Sequence, residues 1–326
     1  MEEIREKLES MGLEAYGFMK VRTIEESRTY FEERERLGFV NPFEEQDMEV
    51  KLDLASVFPE GKTIISIAFP YFYNRTVAPG GYFSVYTRGK DYHVVVRRYL
   101  EEVAQVLREK GYQAKVFADN NPLPERLIAH IAGVGEIGRN HMVITEKYGS
   151  YVFLGEVVTD YEMETVERDY REIPEHRVCG TCTNCVKACP TKILGSEMYN
   201  TRRCMSYITQ DKNIEDADFA LFKGRLFGCD TCQLVCPLNK DAEVSFIEDF
   251  RPLDFMQSPD VHALVALDNE AFRRYKETSS GWRGKKLLQR NAMIELVRRG
   301  ERVEDRYLNT AYLMDYYNRL LSFFKL

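Results

Sequence analysis

Apolar residues recur at helical spacing at the start of the chain, where Ile4, Leu8 and Met11 share one face. Thr63 to Phe69 is a nearly continuous apolar run before Pro70 and predicts a strand. Asp91 to Lys110 has a capping residue, an apolar stripe and a stop at Gly111, which predicts a helix. Tyr151 to Thr159 is again mostly apolar and predicts a second buried strand. This alternation through residue 175 predicts a mixed layer of the α/β or α+β class. From 176 to 245 the periodicity fades and all eight cysteines appear, so metal rather than apolar packing is expected to organise a ferredoxin-type domain. Over 246–326, Ala271 to Tyr275, Gly284 to Arg299 and Asp305 to Phe324 predict a helical region.

A length of 326 residues exceeds the usual size of one core, consistent with this division into 1–175, 176–245 and 246–326. Hydrophobic residues at 44% and charged residues at 30% are ordinary for a globular protein and exclude a disordered chain. The net charge of −7 argues against broad nonspecific nucleic-acid binding and leaves room for local basic patches. The start, Met1 to Lys7, is acidic where a secretory signal needs a basic segment and an apolar run. The apolar run Ile64 to Phe69 falls far short of the roughly 20 residues that span a bilayer. A cytoplasmic protein without a membrane partner is expected, with a monomer as the working oligomeric state. In that reducing compartment the cysteines are metal ligands rather than disulfide partners.

The run Cys179, Cys182, Cys185, Cys189 and Pro190 has the C-x2-C-x2-C-x3-C-P spacing of bacterial ferredoxins. The first three thiolates of such a run wrap one four-iron cluster, and the fourth turns away to its neighbour. Cys229, Cys232, Cys236 and Pro237 repeat the last three positions, leaving Cys204 to complete the set. Crossed ligation assigns Cys179, Cys182, Cys185 and Cys236 to one [4Fe-4S] cluster, and Cys189, Cys204, Cys229 and Cys232 to the other. Paired C-x2-C spacings also occur in structural zinc sites, but the run closed by C-P is the pattern of a cubane.

Two clusters make an electron relay, and the long segment before them implies an acceptor pocket. Gly133 to Gly138 matches G-x-G-x-x-G as a string but follows a helical pattern rather than a strand, which argues against a dinucleotide fold.

Four further segments carry a family resemblance: Ala118 to Arg126 (ADNNPLPER), Gly133 to Asn140, Val152 to Asp160, and Arg202 to Tyr207. With the cysteines they resemble epoxyqueuosine reductases over roughly residues 60 to 295. Members of that family use cobalamin and two four-iron clusters to reduce the epoxide of epoxyqueuosine in tRNA, and are related to the reductive dehalogenases. The resemblance implies cobalamin with its base detached, tRNA as partner and an external low-potential electron donor. It makes Asp119 the match to the family's proposed proton donor, on the substrate side of the corrin. Burial against the corrin is expected to keep that carboxyl protonated. The plainer reading makes Asp119, Asn120 or Asn121 a cap for the helix entered at Pro122.

The resemblance also places Tyr86 to His93 beside the cofactor, with Arg88, Asp91, Tyr92 and His93 as candidate contacts. Gly138, Arg139, Asn140, His141 and Val143 are further candidates; Arg139 stands where the family has lysine, and His141 where a small polar residue is common. A histidine at a helix start is more often a structural partner than a cobalt ligand. Trp282 to Asn291 matches the family's basic entry segment, so Lys285, Lys286 and Arg290, with Arg283 beside them, are expected to meet tRNA phosphates. Many members continue into a helical repeat domain, of which Leu326 leaves only a beginning. Two other functions fit the same cysteines: a corrinoid reductase acting on a small molecule, as in the dehalogenases, and a noncatalytic electron carrier.

Overall fold

The structure is a computed structural model that describes residues 1–195 and 198–326. Its chain folds as two compact units. The first gathers Met1–Phe72, His93–Thr201 and Cys232–Ile247, and the second Tyr73–Tyr92, Arg202–Thr231 and Glu248–Leu326. Neither unit is one consecutive stretch of chain. Of the cysteine region, Cys185, Cys189 and Leu194 form a small cluster of their own, while Met205, Ile208, Leu226 and Phe227 join the core of the second unit.

The first unit is built on a four-stranded sheet of β1 (Tyr16–Lys20), β2 (Thr63–Pro70), β3 (Ala114–Phe117) and β4 (Val152–Thr159), in the order β1-β2-β4-β3. Every neighbouring pair is antiparallel, which settles the class as α+β. All residues of β2 are buried, because helices cover both faces. On one face lies the helix Tyr92–Glu109, whose buried stripe includes Val96, Leu100 and Val103. It comes so close that a Cβ on Gly155 of β4 would stand 2.8 Å from Val96. On the other face, Leu127, Ile128 and Ile131 of the helix Glu125–Ile131 join Ile64, Ala68, Val152 and Val158 in one core.

The segment Cys232–Ile247 is tied to the ends of β2 and β4 by buried amides. Gln233 Nε2 donates to the Tyr71 hydroxyl at 2.9 Å and to Ser150 O at 2.8 Å, and Asn239 Oδ1 accepts Ser150 N at 2.8 Å. Polar links of this kind hold a stretch whose apolar content could not.

In the second unit the pair Tyr82–Phe83 runs parallel to Arg225–Phe227. The helices Lys285–Arg298 and Ala311–Phe324 pack there with Phe83, Met205, Phe219, Phe222 and Phe227 in a second core. The helical pattern over Asp305 to Phe324 is interrupted: a short 3-10 turn, Asp305–Tyr307, precedes Thr310, whose hydroxyl accepts Leu313 N and caps the final helix. Among the described residues no helix is long and apolar enough to cross a membrane.

Candidate functional site

Asp119, separated from the end of β3 by Ala118, begins a turn in which both it and Asn120 are left-handed, with φ of 47° and 49°. Aspartate and asparagine are the non-glycine residues that enter that conformation most readily, helped by local hydrogen bonds. Here Glu125 Oε1 accepts the Asp119 N–H at 2.8 Å and the Asn121 side-chain amide at 2.9 Å. Asp119 Oδ1 accepts the next N–H, of Asn120, at 2.8 Å. The following helix starts only at Glu125, behind Pro124 and without a side-chain cap, so Asp119 is not its capping residue.

His93 stands over this turn from the first residues of its own helix. Its Nε2 lies 3.4 Å from Asp119 Oδ2 and 2.9 Å from Asn120 Nδ2. A neutral ring can accept the amide there, and a protonated ring faces the carboxylate. The Asp119 side chain is 49% exposed, so the burial anticipated for it is not supplied by its neighbours in the fold.

Beneath the turn are two carboxyl groups that the sequence reading passed over. Burial, and then the charge of Asp119, push Glu125 up to about 7. Glu156 is fully buried in β4, opposite Ser66 of β2, whose hydroxyl lies 3.4 Å from its Oε1; Oε2 has no partner among the described residues. Burial and the Glu125 charge raise Glu156 well above the usual carboxylate range. A charged residue within the apolar strand Val152–Thr159 was the available signal.

The helix Glu125–Ile131 leads to a hairpin, Glu136–Ile137 against Val143–Ile144, rather than to a dinucleotide loop. Its tip meets the cysteines. Arg139 N donates to Cys179 Sγ at 3.4 Å, and Arg139 Nη2 donates to Gly180 O at 3.0 Å. A side chain at Gly138 would press on Ile144 and sit 3.4 Å from the Cys179 sulfur. Val143 is buried in the hairpin. His141 stacks on Tyr199 with ring centres 4.3 Å apart, and burial, then Arg126, lower it to about 3, so the ring is neutral.

Beside the hairpin, Cys179, Cys182, Cys185 and Cys236 line a cavity of about 100 Å³ together with Asn140 and Ile144. These are the four thiols that crossed ligation groups together. Burial, only partly offset by backbone hydrogen bonds and reinforced by neighbouring sulfurs, raises the Cys185 and Cys236 thiols, so ligation displaces protons from them. Arg139 Nε and Asn140 Nδ2 are buried donors with no partner among the described residues.

Of the other cysteines, Cys189 and Cys232 belong to the first unit, and Cys204 and Cys229 to the second. Asp230, next to Cys229, is buried and accepts the Ser84 hydroxyl and the Val85 N–H, the latter at 2.9 Å. Arg88, expected at the corrin, is instead 1% exposed; it donates Nε to Phe83 O at 3.0 Å and its charge acts on Asp230. It is buried within the second unit. Asp91 is half-buried and its N–H donates to Glu277 O at 2.7 Å, while Tyr92 opens the long helix.

The basic segment divides. Arg290 is fully buried, donating to Asp211 O at 2.6 Å and Thr209 O at 3.3 Å, which removes it from the expected phosphate contacts. Trp282 is 51% exposed with the Arg283 guanidinium 4.7 Å from its ring centre, and Lys285 and Lys286 are partly exposed.

A family model described as 4Fe-4S double cluster binding domain matches residues 178–239. One described as epoxyqueuosine reductase QueG, DUF1730, matches residues 51–120. The epoxyqueuosine reductase of Bacillus subtilis is 34% identical over 307 residues, covering 90% of this chain and 78% of that protein. That of Gloeobacter violaceus is 34% identical over 262 residues, covering 76% and 80%. A crystal structure of an epoxyqueuosine reductase with an epoxyqueuosine-modified tyrosine tRNA stem loop superposes with a TM-score of 0.89 at 31% identity, over 99% of this chain and 89% of that one. The Bacillus subtilis enzyme, solved with its catalytic aspartate loop swung out of the active site, gives 0.81 at 32% identity, over 96% and 83%.

Proposed function

This chain belongs to the epoxyqueuosine reductase family, and we propose that it reduces epoxyqueuosine to queuosine in tRNA with electrons relayed through two four-iron clusters to a bound cobalamin. Membership makes it an oxidoreductase, and residues 178–239 are its four-iron double-cluster domain. The observation that carries the reading is the strained Asp119 turn, pinned by Glu125 in the same unit as the four-cysteine cavity.

Reduction of an epoxide to an alkene takes up two electrons and two protons and releases water. A bound cobalamin would supply a low-potential cobalt centre as the source of electrons for cleaving the carbon–oxygen bond. The departing oxygen is a poor leaving group until protonated, and the Asp119 carboxyl, open to solvent at the turn, is the group assigned to that proton. His93 is placed to return a proton to Asp119 between turnovers, since its Nε2 lies 3.4 Å away. Glu125 keeps the turn in its left-handed form. The residues of the first unit fit the cofactor: the unpartnered donors of Arg139 and Asn140 are of the kind that corrin amide carbonyls accept.

The tRNA-bound relative supports tRNA as the partner, and exposed Trp282 with Arg283, Lys285 and Lys286 supplies stacking and phosphate-binding groups. An external low-potential donor charges the clusters. The test is turnover on epoxyqueuosine-containing tRNA by the Asp119→Asn protein: iron and cobalamin content should match wild type while turnover falls about 10²–10⁴-fold. Undiminished turnover removes Asp119 from the proton step.

A further inference from the structure

The second unit holds a contact that the relay leaves unassigned. Arg225 is 7% exposed, and its Nε donates to Cys229 Sγ at 3.3 Å. Nη1 donates to the carbonyls of Leu221 and Phe222, each at 3.0 Å, so the guanidinium is locked in place. Nη2 donates to the Thr231 hydroxyl at 2.6 Å, and that hydroxyl lies 3.3 Å from the same sulfur. Because Thr231 already accepts from Nη2, its own proton is free to point at a Cys229 thiolate. The buried carboxylate of Asp230 is the opposing charge nearby, and it is engaged by Ser84, the Val85 N–H and the Arg88 charge.

This environment differs from that of the first cavity, where Cys179 accepts only a neutral backbone N–H, from Arg139 at 3.4 Å, among its described contacts. One-electron reduction of a [4Fe-4S] cluster adds a negative charge that spreads onto its thiolates, and no bond is made or broken. A fixed cation and hydrogen bonds on one thiolate stabilise the reduced form and raise its potential. We propose that Arg225 is a potential-setting residue: through Cys229 it raises the midpoint of the cluster that this cysteine ligates relative to the other cluster. The pair is thereby made unequal, which gives the relay a preferred resting place for an electron.

The inference rests on the two-cluster reading, and the test separates the two. Full-length wild-type protein and the variants Arg225→Gln and Arg225→Lys are reconstituted anaerobically, assayed for iron, and titrated with dithionite in the presence of mediators while electron paramagnetic resonance is recorded. Wild type should carry about eight irons, two cubanes, per chain; a single cluster would sink the underlying reading itself. With both clusters present, Arg225→Gln should move one midpoint to more negative potential, Arg225→Lys should move it less, and the other midpoint should stay. Two unchanged midpoints in Arg225→Gln overturn the proposal. So does loss of one cluster in both variants, which would make Arg225 a structural residue.

Discussion

The Glu125 carboxylate accepts the backbone N–H of Asp119 at 2.8 Å. This bond reaches across the turn from the first residue of the next helix and closes a loop whose two left-handed residues each cost roughly 1–2 kcal/mol. Each of the two hydrogen bonds to Glu125 contributes about 0.5–1.5 kcal/mol, so the balance is close. Glu125→Ala should therefore release the turn and lower turnover at least about tenfold, with iron content unchanged. Glu125→Gln, whose amide oxygen still accepts, should retain most of it. Equal rates for Ala and wild type would show that the turn holds itself.

The same carboxyl gives the protein a pH signature. It titrates at about 7 in the fold, against about 4.3 in an unfolded chain. The folded state thus holds the proton more tightly. Its contribution to stability is fully present below the unfolded value and is lost as pH rises through the folded one. Glu156, also raised, adds with the same sign. Thermal unfolding between about pH 5 and 8 should show wild type losing stability as pH rises, and Glu125→Gln losing less. Parallel pH profiles would contradict this.

Arg290 and Lys285 lie in one helix and should behave oppositely. Arg290→Ala empties a buried site and leaves the Asp211 carbonyl without its donor, while Thr209 O keeps the Asn291 amide, and should cost about 3 kcal/mol of stability. Lys285→Ala should leave the melting temperature alone, weaken tRNA binding and reduce the slope of log affinity against log salt by about 0.7–0.9. A salt slope unchanged by Lys285→Ala would take that residue out of the phosphate contacts.

Crossed ligation makes its own prediction. Cys236 lines the cavity of Cys179, Cys182 and Cys185 although it stands at least 51 positions from each of them. Cys179→Ser and Cys236→Ser should therefore perturb the same cluster signal and leave the same one intact. Loss of different clusters in the two variants would refute the assignment.

The strands Thr63–Pro70 and Val152–Thr159 and the helix Tyr92–Glu109 were legible because each buries a face whose period the sequence displays. The two cysteine runs stood out because the spacing within each is local, whereas the meeting of Cys236 with the first run depends on the fold. Arg290 was misread for the opposite reason. Its acceptors stand near residue 210, so the sequence shows a charge without showing what satisfies it. Glu156 failed to stand out in the same way, since it pairs with Ser66, distant in the chain, and the charge that Arg88 faces, Asp230, is equally remote. The two-unit division was hidden because it depends on which core each cysteine segment joins.

Cobalamin-dependent reduction of epoxyqueuosine can be read by nucleoside mass spectrometry of epoxyqueuosine-containing tRNA, after incubation with the anaerobically reconstituted protein and a low-potential reductant, with and without cobalamin. Queuosine is expected only when cobalamin is present. Queuosine formed equally without cobalamin, or none formed by protein loaded with cobalamin and both clusters, would contradict the proposed reduction.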